Sequence, residues 1–283
     1  MLDQIEKACG QPLENLQTIA GGDICMAYRG RLKNGLSVFV KCHDNSDLLF
    51  AESKGLKWLA STHTIFTPGV IAVSEQGADK GFLVLDWIEP GRPSLPDWEN
   101  LGYALAALHR TTAEQFGWED DNFLGTLPQK NTFGKDWVLF YRDFRLLPQI
   151  ELAYDGKKLP ATLKARLTRL LKDLPYILVS AEPPCAIHGD LWSGNVLFSR
   201  YGEPYFIDPA PYWGSRELDL AMMELFGNFH PRTFVAYDNA YPLQSGWAKR
   251  RGFYQLYYLL AHVNLHGETW LPSLESKILQ LGY

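Results

Sequence analysis

Cysteine is scarce in this chain. Cys9, Cys25, Cys42 and Cys185 are the only four in 283 residues, and they form neither a CxxC pair nor the dense spacing of a disulfide framework. Reduced thiols are therefore expected, with Cys25 open to oxidation if its glycine-bearing loop exposes it. Long apolar runs are also missing. Stretches such as Phe82 to Leu85 and Tyr176 to Val179 fall far short of the roughly 20 residues a membrane-spanning helix needs, so no membrane anchor is expected. The opening Met1-Leu2-Asp3-Gln4 lacks the basic and apolar regions of a signal peptide, which makes the cytoplasm the expected compartment. Positive charge is short too, with 27 Lys and Arg against 32 Asp and Glu, a formal net charge of −5. That balance argues against a nucleic-acid partner. The single basic run, Lys249-Arg250-Arg251, reads as a solvated helix face.

What is present is an ordinary folded chain, long enough for one large domain or two small ones. Leu2, Ile5 and Cys9 have helical spacing, which Gly10 and Pro12 stop. Residues 16–20, the Gly21-Gly22 pair and residues 27–30 read as strand, turn and strand, with Asn34-Gly35 marking the next hairpin. Gly21 and Gly22 suit either a phosphate-covering loop or a plain hairpin turn. Ser37 to Lys41 alternates as a strand, residues 48–59 are helical, and residues 70–73 with 81–88 form a further hairpin ending at Glu89-Pro90-Gly91. Beyond that point the pattern turns helical, over 97–115, 133–152 with a bend or stop at Pro148, 160–174, 215–227 and 250–266. The chemistry predicts an α+β protein of two lobes. Residues 1–88 form a small antiparallel β-sheet lobe, and residues 89–283 form a larger, mainly helical one.

The most informative stretch is Ile187-His188-Gly189-Asp190-Leu191-Trp192-Ser193-Gly194-Asn195, followed by Phe206-Ile207-Asp208-Pro209. An Asp, an Asn five positions later, and a second Asp ending a short apolar run make a phosphoryl-transfer layout. In that layout Asp190 accepts the proton of the acceptor hydroxyl, and Asn195 and Asp208 offer the oxygen ligands that Mg²⁺ prefers. Upstream, Lys41 ends its strand where an ammonium group meets ATP phosphates, and Glu52 is spaced to pair with it. Backbone groups around Asp86, Trp87 and Ile88 are expected to read the adenine. Asp219 suits a scaffold role beneath the catalytic loop, Glu217 either faces an amine-bearing substrate or is solvated, and His109 reads as a satisfied core histidine.

With these residues in view, the chain resembles the fructosamine kinase (ketosamine kinase) family, whose fold is the two-lobed protein-kinase-like fold of aminoglycoside and choline kinases. His188 to Asn195 with Trp192-Ser193-Gly194 inside it, Asp208-Pro209-Ala210, Asp121 to Gly125 with Pro128-Gln129, and Arg145 to Gln149 carry the resemblance. It implies ATP-dependent phosphorylation of the sugar of a ketosamine, free or protein-bound, at its 3-hydroxyl, leading to deglycation. It also implies Trp192 as a platform for the sugar, with His262 and Asn264 bordering the pocket. The segment Gly21-Gly22-Asp23-Ile24-Cys25 is poorer in glycine than the family's nucleotide loop. Two rivals stay open: another small-molecule kinase of this fold, acting on an aminoglycoside, choline or a thio-sugar, and a silent nucleotide-binding module. Oligomeric state leaves no signal in the sequence.

Overall fold

A computed structural model describes residues 1–19, 25–178 and 182–283. The Gly21 and Gly22 expectation lies outside the described residues. Helix α1 (Leu2–Cys9) ends at Gly10, whose φ of 69° is left-handed and costs glycine little. Strands β1 (Leu13–Ile19), β2 (Met26–Leu32) and β3 (Ser37–His43) follow, then helix α2 (Ser46–Ser61) and strands β4 (Val70–Val73) and β5 (Gly81–Asp86). They form an antiparallel sheet in the order β1-β2-β3-β5-β4. Strand alternation gives this sheet two working faces. Val38, Val40 and Cys42 pack with Ile5 of α1, whereas Leu83 and Leu85 pack with Leu49 and Leu56 of α2. Lys41 lies opposite Leu83 and Phe39 opposite Leu85, so both side chains face α2 and the lobe behind it.

Helix α3 (Leu95–His109) opens the larger lobe with a capping box at Ser94 and Asp97. It ends at His109 rather than near residue 115. A short hairpin, β6 (Asn122–Leu124) and β7 (Leu127–Gln129), precedes helix α4 (Trp137–Tyr141). The expected bend at Pro148 takes a specific form: a π-helical turn, Arg142–Leu146, leads into α5 (Leu147–Asp155). Pro148 has no N–H to give the carbonyl of Phe144, four residues earlier, and Arg145 Nη1 donates to that oxygen instead at 2.9 Å. Helix α6 (Ala161–Ile177) leads to β8 (Cys185–Ile187), β9 (Val196–Phe198), β10 (Pro204–Phe206) and β11 (Tyr212–Gly214). These pair as two small antiparallel ladders, β8 with β11 and β9 with β10. Helices α7 (Glu217–Phe226), α8 (Pro231–Ala240), α9 (Trp247–His266) and α10 (Leu271–Gln280) complete the lobe around a large apolar core. No helix among the described residues is long and apolar enough to cross a membrane.

Two expectations about charge are corrected here. Glu217 neither faces substrate nor is solvated. It is 1% exposed and accepts from Arg250, Nε at 2.8 Å and Nη2 at 2.5 Å, which joins α7 to α9. The run Lys249-Arg250-Arg251 is a solvated face only in part: Lys249 is exposed and Arg251 pairs with Glu224 at the surface, whereas Arg250 is buried. A partner more than 25 residues away decided both cases. Replacing Arg250 with Met strands a buried carboxylate, so Arg250→Met is expected to lose about 3–5 kcal/mol of stability in urea titration. Adding Glu217→Leu to it recovers most of that loss, since the stranded charge is then gone.

Candidate active site

The loop after β8 is held from below. Asp219 on α7 accepts the backbone N–H of His188 at 2.7 Å and of Gly189 at 2.8 Å, and also meets His109 Nε2 at 3.2 Å. His109 is a satisfied core histidine, with Tyr237 on its other nitrogen and burial lowering its pKa. His188 Nε2 bonds the carbonyl of Ile207 at 2.9 Å, which ties the Asp190 loop to the segment entering Asp208. Asn195 strengthens the same link, because its carbonyl accepts the Ile207 N–H at 3.0 Å. Asp208 then takes a left-handed φ of 53°, an uncommon conformation for a non-glycine residue.

The predicted core residues come together. Lys41 Nζ lies 2.9 and 3.0 Å from the two Glu52 oxygens and 2.5 Å from Asp208 Oδ1. Asn195 Nδ2 donates to the Asp190 carbonyl at 2.7 Å and to its Oδ2 at 3.0 Å. Burial works against the Lys41 charge, but Asp208 and Glu52 together outweigh it and its pKa is raised. Two carboxylates on one ammonium leave an excess of negative charge. Burial, with the Asp208 anion added, pushes Glu52 up to about 7 despite Lys41. Asp190 is pushed up to about 7 by burial and then by Asp208.

The residues present suit a hard cation. Both hydrogen bonds of the Asn195 amide are made by Nδ2, which leaves Oδ1 for a ligand, and the Asp208 side chain is 42% exposed. Among the described residues no cluster of three or more His, Cys, Asp and Glu offers a rival metal site. An amide oxygen and one carboxylate are the sparse donor set that Mg²⁺ accepts alongside water and phosphate oxygens.

The other expected residues divide. Trp192 is 42% exposed, and its indole packs close against Gly194, where a Cβ would come within 2.2 Å of the ring. Glycine at 194 is thus a requirement of the tryptophan's position. At the end of β5, the Ile88 N–H has no partner among the described residues, whereas Asp86 donates its N–H to Gly69. Trp87 is committed elsewhere, its N–H to the Ser37 carbonyl and its indole to Glu89 and the Arg29 guanidinium. His262 is boxed by Phe226, Trp270 and His266, with Nδ1 on the Tyr258 carbonyl. Asn264 is corrected from pocket wall to packing contact, because its buried Nδ2 donates to Gln149 Oε1 at 2.7 Å and to the Gln149 carbonyl. Cys25 is half-buried rather than exposed, and burial pushes its thiol up to about 11, which disfavours the reactive thiolate. All four cysteines are free thiols.

The sequence profile of the family described as fructosamine kinase matches residues 1–281. The chain belongs to the fructosamine kinase family. Its relatives include a protein of Enterococcus faecium provisionally named a ketoamine kinase, 42% identical over 89% of this chain and 90% of that one. The chloroplastic protein-ribulosamine 3-kinase of Arabidopsis thaliana is 33% identical over 94% of this chain and 82% of its own. A crystal structure from Thermobifida fusca, provisionally named a fructosamine-3-kinase, superposes with a TM-score of 0.90 at 32% identity, covering 99% and 98% of the two chains. An aminoglycoside phosphotransferase superposes at 0.67 with 16% identity, over 99% and 97%, and shows the shared protein-kinase-like fold.

Sequence spacing gave no notice of two residues that flank these groups. Phe39 shares the Lys41 face of β3, a position that strand alternation makes visible in retrospect. Gly55 on α2 gives no such signal: it lets the helix approach Pro211, where a Cβ would lie 2.9 Å from the ring.

The raised Asp190 pKa carries a stability consequence. Below the unfolded value near 3.8 both states are protonated; between 3.8 and about 7 the folded state keeps a proton that the unfolded state has released. Stability of the ligand-free protein therefore falls as pH rises through that window. Asp190→Asn is expected to raise the melting temperature more at pH 8 than at pH 5, read by differential scanning fluorimetry. Equal gains at both pH values would contradict the buried-acid account.

Proposed function

We propose that this chain transfers the γ-phosphoryl group of ATP to the sugar 3-hydroxyl of a ketosamine, releasing ADP and a phosphorylated adduct whose instability leads to deglycation. The observation that carries the reading is the pairing of Lys41 with Glu52 and Asp208 and of Asn195 with Asp190, two groups tied through the Ile207 backbone, beside an exposed Trp192. Family membership supports the acceptor class. The lobe boundary is proposed at residues 88 and 89, with the nucleotide between the lobes.

In this reading Lys41, oriented by Glu52, meets the α and β phosphates, and the Ile88 N–H meets the adenine. Asn195 Oδ1 and the Asp208 carboxylate hold Mg²⁺, which when bound offsets charge on the transferring phosphates. Lys41 must then share Asp208 with the metal, a rearrangement of one flexible side chain. Asp190 hydrogen-bonds the 3-hydroxyl, accepts its proton as the oxygen–phosphorus bond forms, and thereby sets the line of attack. Trp192 stacks on the apolar face of the sugar.

Incubation with MgATP and a panel of fructosyl-lysine, ribulosyl-lysine, choline and kanamycin, followed by phosphorus NMR, tests the acceptor. Phosphorylated ketosamine is the expected product, and choline or kanamycin phosphate in its place would overturn the reading. Asp190→Asn is expected to keep ADP binding and lose about 10²- to 10⁴-fold in kcat. Trp192→Ala is expected to raise the ketosamine KM roughly 2- to 10-fold with ADP affinity unchanged, in line with the worth of one aromatic stack.

A further inference from the structure

After Asp208 the chain runs Pro209-Ala210-Pro211, and two of these carbonyls are held by side chains of the β6–β7 hairpin, 81 and 89 residues earlier. Asn122 Nδ2 donates to the Pro211 carbonyl at 2.8 Å. Gln129 Nε2 donates to the Ala210 carbonyl at 3.3 Å and to Asn122 Oδ1 at 2.8 Å. Behind them, Tyr257 donates its hydroxyl to Gln129 Oε1 at 2.6 Å, Asn131 Nδ2 donates to Asn122 Oδ1 at 2.9 Å, and Arg145 Nη2 donates to Asn131 Oδ1 at 2.6 Å. All five side chains are buried.

The direction of this network is not free to vary. A guanidinium can only donate, so Asn131 must turn its oxygen to Arg145 and its NH₂ to Asn122. Asn122 must then accept on Oδ1, and its own NH₂ is left for Pro211. Arg145 itself is fully buried, stacked over Tyr212 at 4.0 Å and Phe140 at 4.8 Å. It therefore acts as the root that orients every amide above it.

Ala210 is the joint on which this network closes. Its N–H donates to the His188 carbonyl at 3.0 Å, and its carbonyl sits so near Gly189 that a Cβ there would be 2.0 Å away. The same segment presses its Pro209 and Pro211 rings against Gly55 of α2, the helix that carries Glu52. Asp208, Asp190 and Glu52 thus all reference one short stretch of backbone.

We propose that Asn122, Gln129 and Asn131, oriented by Arg145 and Tyr257, are positioning residues that clamp the Asp208 segment and so set the affinity for the divalent cation. The proposal rests on the phosphotransfer reading for the role of Asp208, not on the identity of the acceptor. A carboxylate held in place beforehand takes no ordering free energy from metal binding, so loosening the clamp weakens the metal selectively.

The test measures ADP affinity by calorimetry with and without Mg²⁺, and Mn²⁺ binding by electron paramagnetic resonance, in wild type, Gln129→Met and Tyr257→Phe. Leu167→Ala, a cavity variant in the same lobe's apolar core, controls for lost stability. Metal-free ADP affinity is expected to stay within about 2-fold of wild type, while the Mg²⁺-dependent gain and Mn²⁺ affinity fall about 10- to 100-fold in Gln129→Met, the usual cost of losing a residue that orients a metal ligand. Tyr257→Phe, which loses only the hydroxyl orienting Gln129, is expected to show the same change at smaller size, and it decides the matter if Gln129→Met does not fold. Leu167→Ala should lower the melting temperature alone. Variants that behave like Leu167→Ala, or a wild type whose ADP affinity ignores Mg²⁺, overturn the clamp. Metal gain lost in the variants supports it even if the wild type phosphorylates no ketosamine, an outcome that sinks only the acceptor assignment.

Discussion

The Lys41 ammonium group, shared between Glu52 and Asp208, is the interaction on which the rest of the site depends. It joins a strand of the sheet, the helix packed on that sheet, and the segment leaving β10, three elements with no sequence continuity. Each is shaped to make the contact possible. Alternation along β3 turns Lys41 away from the Val38 and Val40 core, and the spacing of Leu49, Glu52 and Leu56 sets the carboxylate on the apolar face of α2. Gly55 then lets α2 close on Pro211, which brings Glu52 and Asp208 to the same ammonium group.

An ammonium group between two carboxylates is stable only if all three are held, because each pays a desolvation cost on burial. The holding acts mostly on backbone groups, gripped by side chains. Asp219 fixes two consecutive N–H groups of the Asp190 loop, His188 and Asn195 tie that loop to Ile207, and the β6–β7 hairpin grips the carbonyls after Asp208. Gly189 and Asp208 accept left-handed φ values within this frame. The resulting surplus of negative charge, with Glu52 and Asp190 both pushed up to about 7, suits a site that receives cations along with an anionic nucleotide.

Much of this was legible in sequence because it is local. The five-residue step from Asp190 to Asn195, the strand ending in Lys41, and the helical register of Glu52 each lie within one element or one loop. The expected lobes also follow from local periodicity, and the limits of the expected strands and helices lie within a few residues except at α3 and around Pro148, while α8, α10 and the β6–β7 hairpin had not been expected at all. The misreadings share one cause. Glu217 and Arg250 were read as solvated or substrate-facing from their residue type, and Asn264 as a pocket wall from the resemblance, whereas their environments come from partners elsewhere in the fold.

The sequence by itself determined the reaction type and the fold class, since residue chemistry and short-range spacing are enough to specify a phosphotransfer core and two lobes. Only the tertiary structure decided which polar groups serve the site and which serve the scaffold. Burial and distant partners make that distinction, and neither is a local property. Asn122, Gln129 and Arg145 lie in stretches that carry the family resemblance, yet one dimension gives them no role. In three they form a buried, one-directional network that closes on the backbone beside Asp208.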